Sequence, residues 1–142
     1  MSQNIHAEVV VIGAGPGGYA AAFRAADLGK KVILIDKDAD LGGVCLNRGC
    51  IPSKALLHIA KVIEEAKALE KSGVTFADPT LDLDAIRSWK ESVVSKLSKG
   101  IGQLAESRKV QVIQGLAIFD SPTQLLVKLE NGTQSIIFDN CF

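Results

Sequence analysis

Apolar residues along this chain come in bunches whose spacing changes from one stretch to the next. Glu8 to Ile12 holds four consecutive branched aliphatic residues and runs straight into glycine. A short continuous apolar run of this kind predicts a parallel strand buried on both faces. Pro16 to Leu28 is rich in alanine, with Gly29 just past its end, and predicts a helix. Lys31 to Asp36 (KVILID) predicts a second buried strand. Strand, tight glycine turn, helix and strand within about 30 residues make a βαβ unit.

Lys37 to Gly49 shows no periodicity and reads as a loop. From Pro52 the pattern becomes helical, since proline at the first turn loses no hydrogen bond. Leu56, Ile59, Ala60, Ile63 and Ala66 form one apolar face, and Gly73 ends the helix. After a break at Asp78-Pro79-Thr80, Asp82 or Asp84 caps a third, long helix. Its expected stripe is Ile86, Trp89, Val93, Leu97, Ile101 and Leu104, weakened late by Gly100 and Gly102. Strand-like runs follow at 110–113, 116–119, 125–130 and 134–138, with turn signals at Ser121-Pro122 and Asn131-Gly132. They predict a small antiparallel layer appended to an α/β start. The chain then stops at Asp139-Asn140-Cys141-Phe142, which reads as entry to one more apolar strand. Two parallel strands do not complete a doubly wound sheet, so the expectation is a truncated domain.

Composition narrows the classes. The chain has 142 residues, 47% of them hydrophobic and 23% charged, which is one ordinary globular domain. Sixteen basic residues balance sixteen acidic ones. That leaves no basic field for nucleic acid and no polybasic membrane patch. No apolar run approaches the roughly 20 residues of a membrane span, and no signal-peptide pattern precedes the first strand. Three cysteines are too few for a secreted disulfide scaffold. A cytoplasmic protein is expected, in which a disulfide is more often catalytic than structural.

Two motifs carry chemistry. Gly13-Ala14-Gly15-Pro16-Gly17-Gly18 fits G-x-G-x-x-G. The first glycine allows the tight turn, the second lets backbone approach a pyrophosphate, and the third lets helix pack on strand. The helix N-terminus then offers free N–H groups to phosphate. Asp36, 18 residues after Gly18, ends the second strand where an acid accepts hydrogen bonds from a ribose diol. This motif does not separate FAD from NAD. The second motif is Gly42 to Lys54, GGVCLNRGCIPSK, with Cys45 and Cys50 five positions apart. In a regular helix that spacing puts the Cα atoms roughly 8–9 Å apart, while a disulfide needs less than about 7 Å. If the two pair, the segment must be a loop or a distorted helix, which Gly49 eases. Cys50 precedes a helix start, a position that favours thiolate. A zinc site and two unrelated buried thiols are the alternatives on spacing alone; no metal is expected.

Together GAGPGG, the acid at 36 and GGVCLNRGCIPSKALL resemble the flavin disulfide reductase family, and within it the dihydrolipoamide dehydrogenases. The helix HIAKVIEEAKALEKSGV and the Arg87–Lys90 stretch strengthen the likeness, which covers essentially the whole chain. It implies a Rossmann-like FAD-binding domain, residues 1–142 forming its N-terminal part, without the NAD-binding and dimer-interface domains. It implies that Gly13, Gly15 and Gly18 hold the FAD pyrophosphate. Asp36 would bind the adenosine ribose, with a shorter reach than the Glu of most relatives. Lys37 and Gly43 would line the cofactor, and Val44 stands where many relatives have Thr. Cys45 would be the interchange thiol, and Cys50 the charge-transfer thiol against the flavin, in a redox-active disulfide. Lys54 would sit beside the flavin, and Gly115 and Ala117 would contact adenine through backbone. The implied reaction oxidises dihydrolipoamide to lipoamide with NAD as acceptor. The implied partners are lipoyl groups of 2-oxo acid dehydrogenase complexes and a second subunit, whose histidine supplies the base. The chain alone is expected to show no such turnover. The other readings are a mercuric or glutathione reductase type, and a nonenzymatic, self-associating fold fragment.

Other residues attract plainer readings. Arg48 stands where relatives have small or apolar residues; it either raises the thiolate fraction or points to solvent, the latter favoured. Cys141 reads as a buried strand thiol, His6 as solvated ahead of the first strand, and His58 as a surface helix position. Trp89 reads as core or interface packing, and the charges from Glu64 to Lys71 as a solvated helix face.

Overall fold

The computed structural model describes residues 5–142. The chain runs β1 (Ile5–Ile12), α1 (Pro16–Asp27), β2 (Val32–Asp36), α2 (Gly43–Arg48), α3 (Cys50–Ala68), α4 (Leu83–Ser107), β3 (Gln111–Gln114), β4 (Leu116–Ser121), β5 (Gln124–Leu129) and β6 (Gly132–Cys141). A 3₁₀ turn at Leu69–Ser72 closes α3, and Gly73 takes the left-handed conformation beyond it (φ 85°). Asp82 caps α4, its carboxylate accepting the N–H groups of Asp84 and Ala85 at 3.0 Å each.

The strands form one sheet in the order β3-β2-β1-β6-β5-β4. β3, β2, β1 and the second half of β6 are mutually parallel; β4, β5 and the first half of β6 are antiparallel. Three expectations are corrected here. The 110–113 run is the parallel edge strand beside β2, not part of the antiparallel layer. The runs 134–138 and 139–142 are one ten-residue strand, which leaves the meander through Ile136 and Ile137 and pairs Ala7 to Val10 of β1 through Phe138 to Cys141. The parallel part therefore has four strands among the described residues. The last hairpin turns at Glu130-Asn131, one residue earlier than its motif suggested, with Leu129 opposite Gly132.

Two cores lie on opposite faces of the parallel strands. Val9, Val11, Val32 and Leu34 pack with Ala22 of α1, Leu46 of α2, and Val94, Ile101 and Ala105 of α4. Val10, Ile33 and Ile35 pack with Leu125, Val127, Ile136 and Phe138 of the meander. Burial on both faces explains the uninterrupted aliphatic runs of β1 and β2. Ile33, Leu34 and Ile35 have 0% exposure, and burying each such side chain contributes about 1.5–3 kcal/mol. Glu8 and Val9 both donate to Lys31 O, at 3.0 and 3.2 Å. This kink shifts the alternation, so that Ala7 and Val10 share a face.

The long helices depart from their expected stripes. α4 buries Val94, Ser98, Ile101 and Ala105, while Trp89, Leu97 and Leu104 stay exposed. At 100° per residue the buried face is rotated about 90° from the expected one. The reason is close approach: Ser98 and Ala105 are small, and Ser98 Oγ donates to Leu41 O at 2.9 Å from a buried position. In α3 the buried residue is Ala55, and Leu56 is exposed. His6 lies within β1 and pairs with Asp139 of β6 at 2.9 Å, so it is held across the sheet rather than merely solvated. His58 is exposed, as read.

Candidate active site at the glycine turn and the cysteine pair

Strand order reverses beside β1: the chain goes from β1 to β2 to β3 on one side and returns as β6 on the other. In such sheets ligands bind beyond the C-terminal ends of the strands at this switch point. Gly13 follows β1, Asp36 ends β2, and Gly115 follows β3. All three border one cleft of about 210 Å³, with Ile12, Ile35, Lys37, Leu116 and Ala117. The structure thus brings together five of the residues singled out by sequence: Gly13, Asp36, Lys37, Gly115 and Ala117. Ile12, Ile35 and Leu116 were not singled out; they read only as strand residues.

The glycines of the turn differ in what they do. Gly13 has φ 100°, a conformation other residues rarely adopt, and its N–H donates to Ile35 O at 2.7 Å. A Cβ on Gly18 would lie 1.7 Å from Gly13 O, so α1 can meet β1 only with glycine there. A Cβ on Gly15 would meet nothing within 4 Å. Gly15 is the N-cap of α1, and no side chain caps the first N–H groups of that helix. Asp36 braces the turn: Oδ2 accepts Ala14 N–H at 2.6 Å and Oδ1 accepts Asp38 N–H at 2.8 Å. Ala14 O accepts Gly42 N–H at 2.9 Å. The backbone of Ala14 is therefore held through both its N–H and its C=O, an arrangement for which the sequence offered only the Asp-x-Asp spacing as a hint.

Residues 43–48, expected as loop, form α2. Six residues bracketed by glycines are too few to show helical periodicity. The helix starts against the turn: a Cβ on Gly43 (φ 63°) would lie 2.7 Å from Gly15 Cα. Cys45 sits on α2, and Cys50 opens α3. Between them Gly49 leaves the helical path (φ −128°, ψ −101°). This break brings the two Cα atoms to 4.9 Å and the pair forms a disulfide. Pairing at this spacing requires a loop or a distorted helix, and the chain meets the requirement with two helices that join at Gly49. Cys45 is half-buried and Cys50 exposed.

The remaining sequence candidates are dispersed. Val44 is exposed on α2, and Lys54 is exposed one turn into α3, outside the cleft. Arg48 is exposed, as favoured, and its Nη2 also pairs with Asp38 Oδ2, a contact the sequence reading did not include. Cys141 is the free thiol, half-buried in β6, and burial pushes its pKa up. No described helix is long and apolar enough to cross a membrane.

Comparison with known proteins gives the same outline. Residues 7–141 match the family model described as pyridine nucleotide-disulphide oxidoreductase. The chain is 54% identical over 140 residues to a dihydrolipoyl dehydrogenase of Vibrio cholerae, with 99% of the chain covered. It is 52% identical over 141 residues to that of Haemophilus influenzae, and 47% identical over 136 residues to that of Bacillus subtilis. It spans about 30% of the length of these relatives. A glycine turn at the sheet's switch point, a disulfide across a helix break beside it, and a family match over nearly every residue converge, and the chain belongs to the pyridine nucleotide-disulphide oxidoreductase family.

Proposed function

We propose that residues 1–142 are the N-terminal part of the FAD-binding domain of a dihydrolipoyl dehydrogenase, with NAD-binding and interface domains lying in other segments of the protein. The observation that carries this reading is the Cys45–Cys50 disulfide held against the glycine turn, through Gly43 on Gly15.

The residues fit a dinucleotide. Gly13, Gly15 and Gly18 serve the pyrophosphate together: Gly15 leaves the start of α1 without a side chain in the way, and Gly13 and Gly18 make the tight turn and the close α1–β1 contact that hold it there. Asp36 uses one lone pair of each oxygen on backbone N–H groups. A carboxylate has about four acceptor sites, so about two remain for a ribose diol. Lys37, Gly115 and Ala117 wall the cleft at the adenine end, while Gly43, Val44, Cys45 and Lys54 serve the flavin end. Bound FAD supplies a two-electron acceptor for the protein dithiol, with NAD as final acceptor.

The chain's own part is thiol–disulfide exchange. A lipoyl thiolate attacks Cys45 Sγ, the S–S bond breaks, and the electron pair leaves on Cys50 Sγ. The second lipoyl thiol then attacks the mixed disulfide and releases Cys45. The lipoyl dithiol is oxidised to its disulfide, and the protein disulfide is reduced to a dithiol. Attack at Cys45 is favoured because exchange is faster when the leaving thiol has the lower pKa. Cys50 sits at the N-terminus of the 19-residue α3, where the helix dipole stabilises thiolate. The partners are lipoyl groups of 2-oxo acid dehydrogenase complexes and a second copy of the full protein, in the cytoplasm.

The test is to add FAD to the purified chain, remove the free excess and record the visible spectrum before and after dihydrolipoamide. A retained flavin band, with titratable thiols rising from Cys141 alone to all three cysteines, supports the reading. A protein thiol count that stays at one while the flavin band also stays unchanged refutes the exchange role.

A further inference from the structure

The connection between β2 and α2 holds a ring of polar contacts that the two motifs do not account for. Arg48, the last residue of α2, pairs through Nη2 with Asp38 Oδ2. Asp38 N–H donates to Asp36 Oδ1, and Asp36 Oδ2 accepts from Ala14 N–H. Ala14 O accepts from Gly42 N–H, and Gly42 is the N-cap of α2. Both ends of the helix carrying Cys45 are thus tied to the same turn. Asn47 adds a tie of its own, Nδ2 donating to Asp40 O at 3.1 Å.

We propose that Arg48 is a positioning residue for the Cys45–Cys50 couple. By pinning the C-terminal end of α2 to Asp38, it keeps Cys45 facing Cys50 after the disulfide opens. This inference rests on the reading of that disulfide as redox-active. Six residues are far too few to hold a helix by themselves. While the disulfide is closed, the S–S bond fixes α2. Once it opens, the hinge at Gly49 is free, and the external ties decide whether α2 stays or frays. Fraying adds freedom to the dithiol state and lowers the effective concentration of one thiol at the other. Arg48 and Asp38 oppose it and so favour the disulfide. Their side chains are 59% and 33% exposed. An exposed ion pair accounts for up to about fivefold in an equilibrium constant, so a two- to fivefold effect is expected.

The experiment equilibrates the chain in a series of glutathione buffers, quenches with acid, alkylates and counts modified cysteines by mass. Each reduction consumes two glutathione thiols and yields one glutathione disulfide. Arg48→Ala and Asp38→Asn are each expected to shift the equilibrium about two- to fivefold toward dithiol. Asp38→Asn keeps the backbone N–H to Asp36, so it removes only the charge. The double variant should shift no further than either single one, and Arg48→Lys should recover most of the loss. Unchanged equilibria in both single variants, effects that multiply in the double variant, or no recovery with lysine would each overturn the proposal. A wild-type chain with no Cys45–Cys50 transition in any buffer would instead refute the redox reading on which it rests.

Discussion

Two adjacent glycines in the turn should respond to alanine in opposite directions. At Gly18 the added Cβ falls 1.7 Å from Gly13 O. Real contacts of this kind open at about 3.0–3.4 Å, so α1 must back away from β1 by roughly 1.5 Å. The obstacle is backbone on a strand end, so no side chain can swing aside. Retreat of α1 opens a gap around Ala22 and Val11, which are 0% and 1% exposed. Overpacking of this kind costs about 1–3 kcal/mol when the neighbours can yield, and more when they cannot. Gly18→Ala is therefore expected to cost at least about 3 kcal/mol, or roughly 10 °C in Tm for a domain of this size. At Gly17 a Cβ meets nothing within 4 Å, and φ is not positive. Alanine there trades backbone entropy for helix propensity, and Gly17→Ala should gain up to about 0.5 kcal/mol. Urea titrations of both variants, followed by circular dichroism with the disulfide intact, measure the difference. A Gly18→Ala loss below about 1 kcal/mol, or an equal loss at Gly17, would refute the close-approach argument.

Further outcomes follow from single contacts. Reducing Cys45–Cys50 releases a loop of sequence separation 5; loop entropy predicts a loss of about 2 kcal/mol, read by comparing urea midpoints with and without reductant. Ser98→Ala removes the buried hydrogen bond to Leu41 O and should cost about 1 kcal/mol in the same titration, because it weakens the seat of α4 rather than of the turn. Glu8 accepts Lys31 N–H at 2.8 Å and the Lys30 ammonium at 3.0 Å. The backbone bond first, and the ammonium second, hold its carboxyl below the ordinary value. Its contribution is present at neutral pH and is lost as pH falls through the carboxylate range. Glu8→Gln should thus lower stability at pH 7 but not at pH 3; an equal deficit at both would show that charge is not the cause.

Legibility from sequence tracked regularity of environment. β1 and β2 were readable because burial on both faces demands unbroken aliphatic runs. The cap at Asp82 and the stop at Gly73 were readable because each solves a local backbone problem. The stripe of α4 was not. Large apolar residues mark a helix's greasiest face, but this helix approaches its neighbours through Ser98 and Ala105, where small size and one hydroxyl matter more than hydrophobicity. The parallel role of β3 and the double role of β6 were invisible for another reason. Pairing partners are a property of topology, and a four-residue run such as 111–114 reads the same beside any neighbour.

The largest misreading, residues 43–48 within the stretch expected as loop, falls at the site itself, and the cause is chemical. To carry a disulfide across five positions the chain must abandon helical spacing, so Gly49 breaks the periodicity that would have revealed a helix. To bring that disulfide against the turn, Gly42 and Gly43 must replace residues that would have signalled one. Asp36, Asp38 and Arg48 then hold by polar contacts what a longer helix would hold by an apolar stripe. Regular elements announce themselves because many residues repeat one demand. Here each residue from Asp36 to Cys50 meets a different demand, and the resulting absence of pattern is itself what a site built for proximity should look like.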